Sequence, residues 1–261
     1  SNTGRRVAIL NDTGLQIGPP LAVNLAKAGH DLVIGQPAEG LVGTLEGLGS
    51  KVVVIEGVEQ EGPNDETSPE HAKKFVDAAI ENFGGFDSAY FRTAHHEGAD
   101  ILSVTPEMLE KSFKGNFAAV VYALQAVLPP LMDAGQGQVL ILTSASAIRG
   151  AYDYIPYVPL RAAANNLIQL AAMTAAEKGV CINAFGTNYL NYPDAVNAYG
   201  GEDAMAHVAS KLPVGRFGEA EEMAHVAMPF LDGKNMYTTG QTIMLAGGYN
   251  SRADDLKFTR W

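Results

Sequence analysis

The chain alternates short β-branched apolar runs with longer stretches whose apolar residues recur at helical spacing. Residues 7–10, 31–34, 51–55, 86–91, 138–143, 180–185 and 241–245 read as strands, and 18–28, 69–83, 106–132, 157–178 and 219–231 as helices. Thr105 and Pro106 supply a cap and a first-turn proline, and Gly29 and Gly179 supply stops. Strands apolar on both faces must be covered on both faces. Their alternation with helices predicts an α/β fold, a single doubly wound domain with a seven-stranded parallel sheet flanked by helices. Residues 1–261 read as that one domain, with 191–210 as a pocket-shaping insertion and 249–261 as a C-terminal tail.

Charge narrows the partners. Eighteen Lys and Arg against 29 Asp and Glu leave −11, which repels the phosphates of nucleic acid and of anionic lipid. No run approaches the roughly 18 apolar residues of a membrane span. The one cysteine, Cys181, excludes an intrachain disulfide and suits a reducing, cytoplasmic setting. His95 and His96 lack companion ligands at helical spacing, so no metal is expected there. The acidic stretch 57–70 reads as a solvated loop.

In a Rossmann-like fold the turn after the first strand ordinarily cradles a dinucleotide, its glycines letting backbone approach the pyrophosphate at a helix N-terminus. Here the turn reads Asn11-Asp12-Thr13-Gly14-Leu15-Gln16-Ile17-Gly18. A T-G-x-x-x-G-x-G pattern ending at Gly18 needs Thr at 11 and Gly at 12 and 16, and the chain has Asn11, Asp12 and Gln16. The Asp12 carboxylate would repel a pyrophosphate. After the second strand, Gly35-Gln36-Pro37 offers neither an acid for a ribose nor an arginine for a 2′-phosphate. These losses predict that no nucleotide cofactor is bound.

The strongest constellation is Ser144, Tyr157 and Arg161, spaced S-x12-Y-x3-R. Residues four apart share a helical face, so Tyr157 and Arg161 point together toward the end of the sheet, where Ser144 closes its strand. A phenol is a poor base at neutral pH, and a nearby guanidinium favours its ionised form. The strand order with Ser144, Tyr157 and Arg161-Ala162-Ala163 resembles the short-chain dehydrogenase/reductase superfamily over essentially the whole chain. Asn116 matches that superfamily's tetrad asparagine, but Arg161 stands where it carries lysine.

The arginine and the altered first turn together resemble the halohydrin dehalogenases, a cofactor-independent branch of that superfamily. Residues 185–190, Phe-Gly-Thr-Asn-Tyr-Leu, resemble that branch's halide-binding loop; Gln16 stands where it usually has an aromatic residue and Thr187 where proline is common. The resemblance implies a carbon–halide lyase that closes vicinal haloalcohols to epoxides and halide, and reopens epoxides with halide or another small anion. Tyr157 would take the hydroxyl proton, Arg161 would support the phenolate and Ser144 would hold the oxygen. Gln16, Ser146, Thr187, Asn188, Tyr189 and Leu190 would line the halide and substrate site, with no cofactor and no metal. It also implies a homotetramer, built through the helices at 106–132 and 162–176. Two alternatives stay open. One is an NAD(P)-dependent carbonyl reductase with aberrant motifs, the other a non-catalytic ligand-binding relative.

Overall fold

The computed structural model describes residues 4–56, 68–93, 95–150 and 153–251, so most of the acidic stretch and the tail from 252 to Trp261 lie outside it. The expected strands are present as β1 (Arg6–Leu10), β2 (His30–Gly35), β3 (Val52–Ile55), β4 (Ser88–Arg92), β5 (Gly137–Ser144), β6 (Val180–Thr187) and β7 (Thr242–Leu245). They form one sheet in the order β3-β2-β1-β4-β5-β6-β7, and every pairing is parallel. The fold is a Rossmann-like α/β sheet flanked by helices, as the hydrophobic pattern predicts.

Strand pleating sends alternate residues to opposite faces, and each face has its own core. Val7 and Ile9 of β1 pack under α3 (Pro69–Phe83), α5 (Ala119–Ala134) and α6 (Val158–Ala176), with Phe75, Leu124 and Ile168. Ala8 and Leu10 pack on the other side, under α1 (Gly18–Lys27), α2 (Leu41–Gly47) and α9 (Ala220–Ala227), with Leu21, Leu45 and Ala224. The chain reverses direction across the sheet between β1 and β4. That switch opens a crevice at the carboxyl ends of the strands, where such sheets take ligands.

The helix expected over 106–132 is divided. Thr105 caps α4 (Pro106–Phe113) by accepting a hydrogen bond from the Met108 N–H at 3.2 Å. A π-turn at Lys114–Ala118 then precedes α5. Asn116 lies in that turn, and its side chain donates to the Ser112 carbonyl at 3.0 Å, an acceptor four residues back that the regular ladder would use. By length and composition the run Pro106–Ala134 could cross a membrane, with mean hydropathy 1.5 over its most apolar window, contrary to the sequence reading. In the fold its apolar positions Val120, Leu124, Val127 and Leu131 are buried on the sheet. Residues 191–210, expected as an insertion, contain α7 (Ala195–Ala198) and most of α8 (Glu202–Lys211), neither of which the pattern announces.

Candidate functional site

A cavity of about 540 Å³ opens at the carboxyl ends of β5 and β6. Ser144 ends β5, Tyr157 is the residue before α6, and Arg161 lies one turn into that helix. All three are nearly fully buried and line the cavity. Arg161 Nε donates to the Tyr157 hydroxyl at 3.3 Å, with the guanidinium carbon 5.4 Å from the centre of the phenol ring. The rest of the guanidinium is held by neutral oxygens: the Thr93 hydroxyl at 3.3 Å, the Leu142 carbonyl at 3.4 Å and the Thr93 carbonyl. Its charge therefore faces the phenol without a carboxylate between them, an arrangement that stabilises negative charge on the Tyr157 oxygen or on an oxygen beside it.

Ser144 donates its hydroxyl hydrogen to Asn188 Oδ1 at 3.0 Å and accepts the Ser146 N–H at 3.1 Å, while Asn188 Nδ2 donates to Ser146 Oγ at 3.0 Å. This network sets the rotamer of Ser144, and a ligand oxygen that takes its hydrogen must compete with Asn188. Gln16, Thr187, Tyr189 and Leu190 line the same cavity, so the candidate residues from the first turn and from the loop after β6 meet around the triad. Gln16 and Tyr189 hold left-handed backbone, at φ 50° and 55°. Side-chain-bearing residues seldom adopt that conformation, and it occurs here at two positions on the cavity wall.

The wall takes in Tyr154 and Arg92, which the sequence does not single out, together with residues of the expected 191–210 insertion. Tyr154, Tyr192 and Tyr199 join Tyr189 and Tyr249 to give the cavity an aromatic wall, and Arg92 and His96 enter from the end of β4 and the loop beyond. Tyrosines scattered from 154 to 249 have no common spacing, so only the topology brings them together. Asn116, by contrast, is fully buried and committed: its Oδ1 accepts the His95 N–H at 3.2 Å, and its Nδ2 donates to the His95 carbonyl at 2.9 Å and to both oxygens of Ser112. It ties the loop after β4 to α4.

The fold raises the question of a dinucleotide, and the first turn answers it through Asp12. One carboxylate oxygen accepts the N–H groups of Gly14 and Leu15 at 2.9 and 3.1 Å, and the other lies 3.6 Å from Arg92 Nη1. The Gly18 N–H is bound to the Leu15 carbonyl at 3.0 Å. Amides that would face a pyrophosphate are thus taken up inside the chain, beside a buried carboxylate of the same sign as the phosphates. Gln36, at the end of β2, leaves no room for a side chain at Gly14, since its carbonyl oxygen would lie 2.6 Å from a Cβ there. The turn does not fit a pyrophosphate. Among the described residues, no group of three His, Cys, Asp or Glu is placed to hold a metal.

Residues 13–250 match the family described as Enoyl-(Acyl carrier protein) reductase. The chain is 26% identical over 258 residues to cyclohexanol dehydrogenase of Acinetobacter sp. (strain SE19), covering 95% of this chain and 96% of that protein. It is 24% identical over 253 residues to the L-rhamnose 1-dehydrogenase (NAD(P)(+)) of Sphingomonas sp. (strain SKA58), covering 93% and 95%. Levodione reductase superposes with a TM-score of 0.84 at 21% identity, over 95% of this chain and 98% of that one. Acetoin dehydrogenase from Enterobacter cloacae gives 0.83 at 21% identity, over 98% and 100%.

These relatives overturn the expectation of a halohydrin dehalogenase and, with it, a cofactor-independent lyase acting on haloalcohols, epoxides and halide: they are dehydrogenases and reductases. The Asn188 side chain is bound to Ser144 and Ser146 beside a tyrosine-lined cavity.

Proposed function

Because the chain belongs to the Enoyl-(Acyl carrier protein) reductase family of the short-chain dehydrogenase/reductase superfamily, we propose that it is an oxidoreductase interconverting a hydroxyl and a carbonyl group on a small organic molecule. The observation that carries the chemistry is the Tyr157 hydroxyl held by Arg161 Nε at 3.3 Å in the cavity that Ser144 lines. In reduction Tyr157 gives its proton to the carbonyl oxygen as negative charge develops there, and Arg161 steadies the phenolate left behind. In oxidation the phenolate takes the hydroxyl proton back. Ser144 turns its hydrogen from Asn188 to the substrate oxygen and fixes where that oxygen sits. The tyrosine wall packs the remainder of the molecule and keeps water from the reacting oxygen. The reaction class calls for a hydride carrier, and the residues of this chain account for the oxygen and its proton.

The test supplies NADH or NADPH at millimolar concentration with a panel of cyclic and aliphatic ketones and follows nucleotide absorbance. Ketone-dependent oxidation supports the reading; its absence with both nucleotides across the panel overturns it. The closed first turn favours a second reading, a relative that binds a small hydroxy or carbonyl compound without turning it over, and saturable binding without turnover is its signature. Ser144→Ala is expected to lower kcat/KM by about a hundredfold, because the variant loses an oxygen-positioning donor of the kind built into oxyanion sites, and to lower the melting temperature modestly, because Asn188 and the Ser146 N–H lose their partner.

The chain is also read as a homotetramer in the cytoplasm, a reducing compartment suited to its single buried thiol, Cys181. Leu109 and Phe113 on α4 and Leu170 and Met173 on α6 are large apolar side chains exposed on this chain's surface. Light scattering during gel filtration is expected to give a tetramer for the parent and a smaller species for Leu170→Glu/Met173→Glu. A monomeric parent contradicts this.

A further inference from the structure

The proton exchanged at Tyr157 needs a path to solvent, and its neighbours Arg161 and Asn116 do not provide one. Arg161 is an obligate cation at ordinary pH and cannot pass a proton on. Asn116 has its side chain spent on His95 and Ser112 and does not line the cavity.

His96 is placed differently. Its ring lies against the Tyr157 ring, with centroids 4.6 Å apart and planes 36° apart, and it forms part of the cavity wall. Residue 96 as a whole is exposed to solvent while Tyr157 is buried, so His96 stands between the phenol and the outside. The protein around it holds its pKa down to about 4, first by desolvation and then through Arg161, Arg92 and His95, whose own ring is 3.3 Å from Glu97. A neutral imidazole carries one N–H donor and one lone-pair acceptor, the equipment for a relay that holds no charge of its own.

We infer that His96 is the proton outlet of Tyr157, a positioning and relay residue acting through that phenol rather than on the substrate. In reduction, the proton Tyr157 has given away is replaced from one imidazole nitrogen, through cavity water, while the other nitrogen takes a proton from solvent. In oxidation the same transfers run in reverse. The ring ends neutral, one proton has moved and no electrons have. Aryl stacking also fixes the angle of Tyr157 toward Ser144.

The reaction in which this relay serves rests on the oxidoreductase reading; the relay itself can be read without substrate. NMR of the full chain labelled at tyrosine measures exchange of the Tyr157 hydroxyl proton with water. His96→Phe keeps the ring contact and removes both nitrogens, and is expected to slow that exchange at least about tenfold. His96→Ala is expected to slow it likewise, with added imidazole restoring much of the rate. In turnover, His96→Phe is expected to lower kcat at least about tenfold with little change in KM. Equal exchange rates in parent and His96→Phe overturn the inference, and slowed exchange without imidazole rescue assigns His96 to structure alone and overturns it too. A parent that exchanges through His96 yet turns over no ketone counts against the oxidoreductase reading only.

Discussion

Tyr157→Phe is expected to leave a folded protein with no measurable turnover, a loss of about 10²–10⁴-fold or more. The change removes one oxygen and no ring, so the stacking on His96 and the edge contact with Tyr154, at 6.4 Å between centroids, both persist. The lost hydroxyl is the atom Arg161 Nε touches, while the other guanidinium nitrogens keep their bonds to Thr93 and Leu142 and hold the buried cation in place. Fold and charge are preserved while the proton donor is gone. Circular dichroism and melting check the first half, ketone-dependent turnover the second. Near-parent turnover would remove Tyr157 from the chemistry. Arg161→Lys offers a graded comparison. A lysine cannot span from the phenol to Thr93 with a planar fork, so a stability loss should accompany its lower rate.

How much of this was legible beforehand varies with the kind of signal. Strands such as β5 and β6, buried along their whole length, read as near-continuous apolar runs, and the pattern places them within a residue or two. The S-x12-Y-x3-R spacing is local to one strand end and one helix start, and the structure brings those side chains together as that spacing requires. The aromatic wall is another matter, because Tyr154, Tyr199 and Tyr249 approach each other only through strand order. Asn116 illustrates a third case. A polar residue in an apolar helix signals a special environment, but only geometry reveals that its partners are His95 and Ser112. The same limit misled the functional reading. Arginine for lysine and a lost glycine pattern point away from a dinucleotide, yet they say nothing of what reaction remains, and the relatives of this chain are dehydrogenases and reductases.

Asp12 carries the second large effect. Asp12→Asn keeps the size of the side chain and an oxygen for the Gly14 and Leu15 N–H groups, but it sets a neutral amide opposite the Arg92 guanidinium. Arg92 has 5% and Asp12 1% of its side chain exposed, so the pair is largely withdrawn from water. Removing one member of a buried ion pair takes away a favourable charge–charge contact and costs about 3–5 kcal/mol. Urea unfolding should therefore show a lower midpoint at unchanged slope. Asp12→Asn/Arg92→Met should cost less than the sum of the single changes, since both single changes remove the same Asp12–Arg92 contact. The same carboxylate sits in the turn after β1, where this sheet topology ordinarily seats a pyrophosphate, and like charges repel. Neutralising it should tighten NADH or NADPH binding at least about tenfold, read by nucleotide fluorescence at a temperature where the variant is folded. Unchanged affinity would mean that the turn excludes the pyrophosphate by shape, through Gln36 and the engaged amides of Gly14, Leu15 and Gly18, rather than by charge.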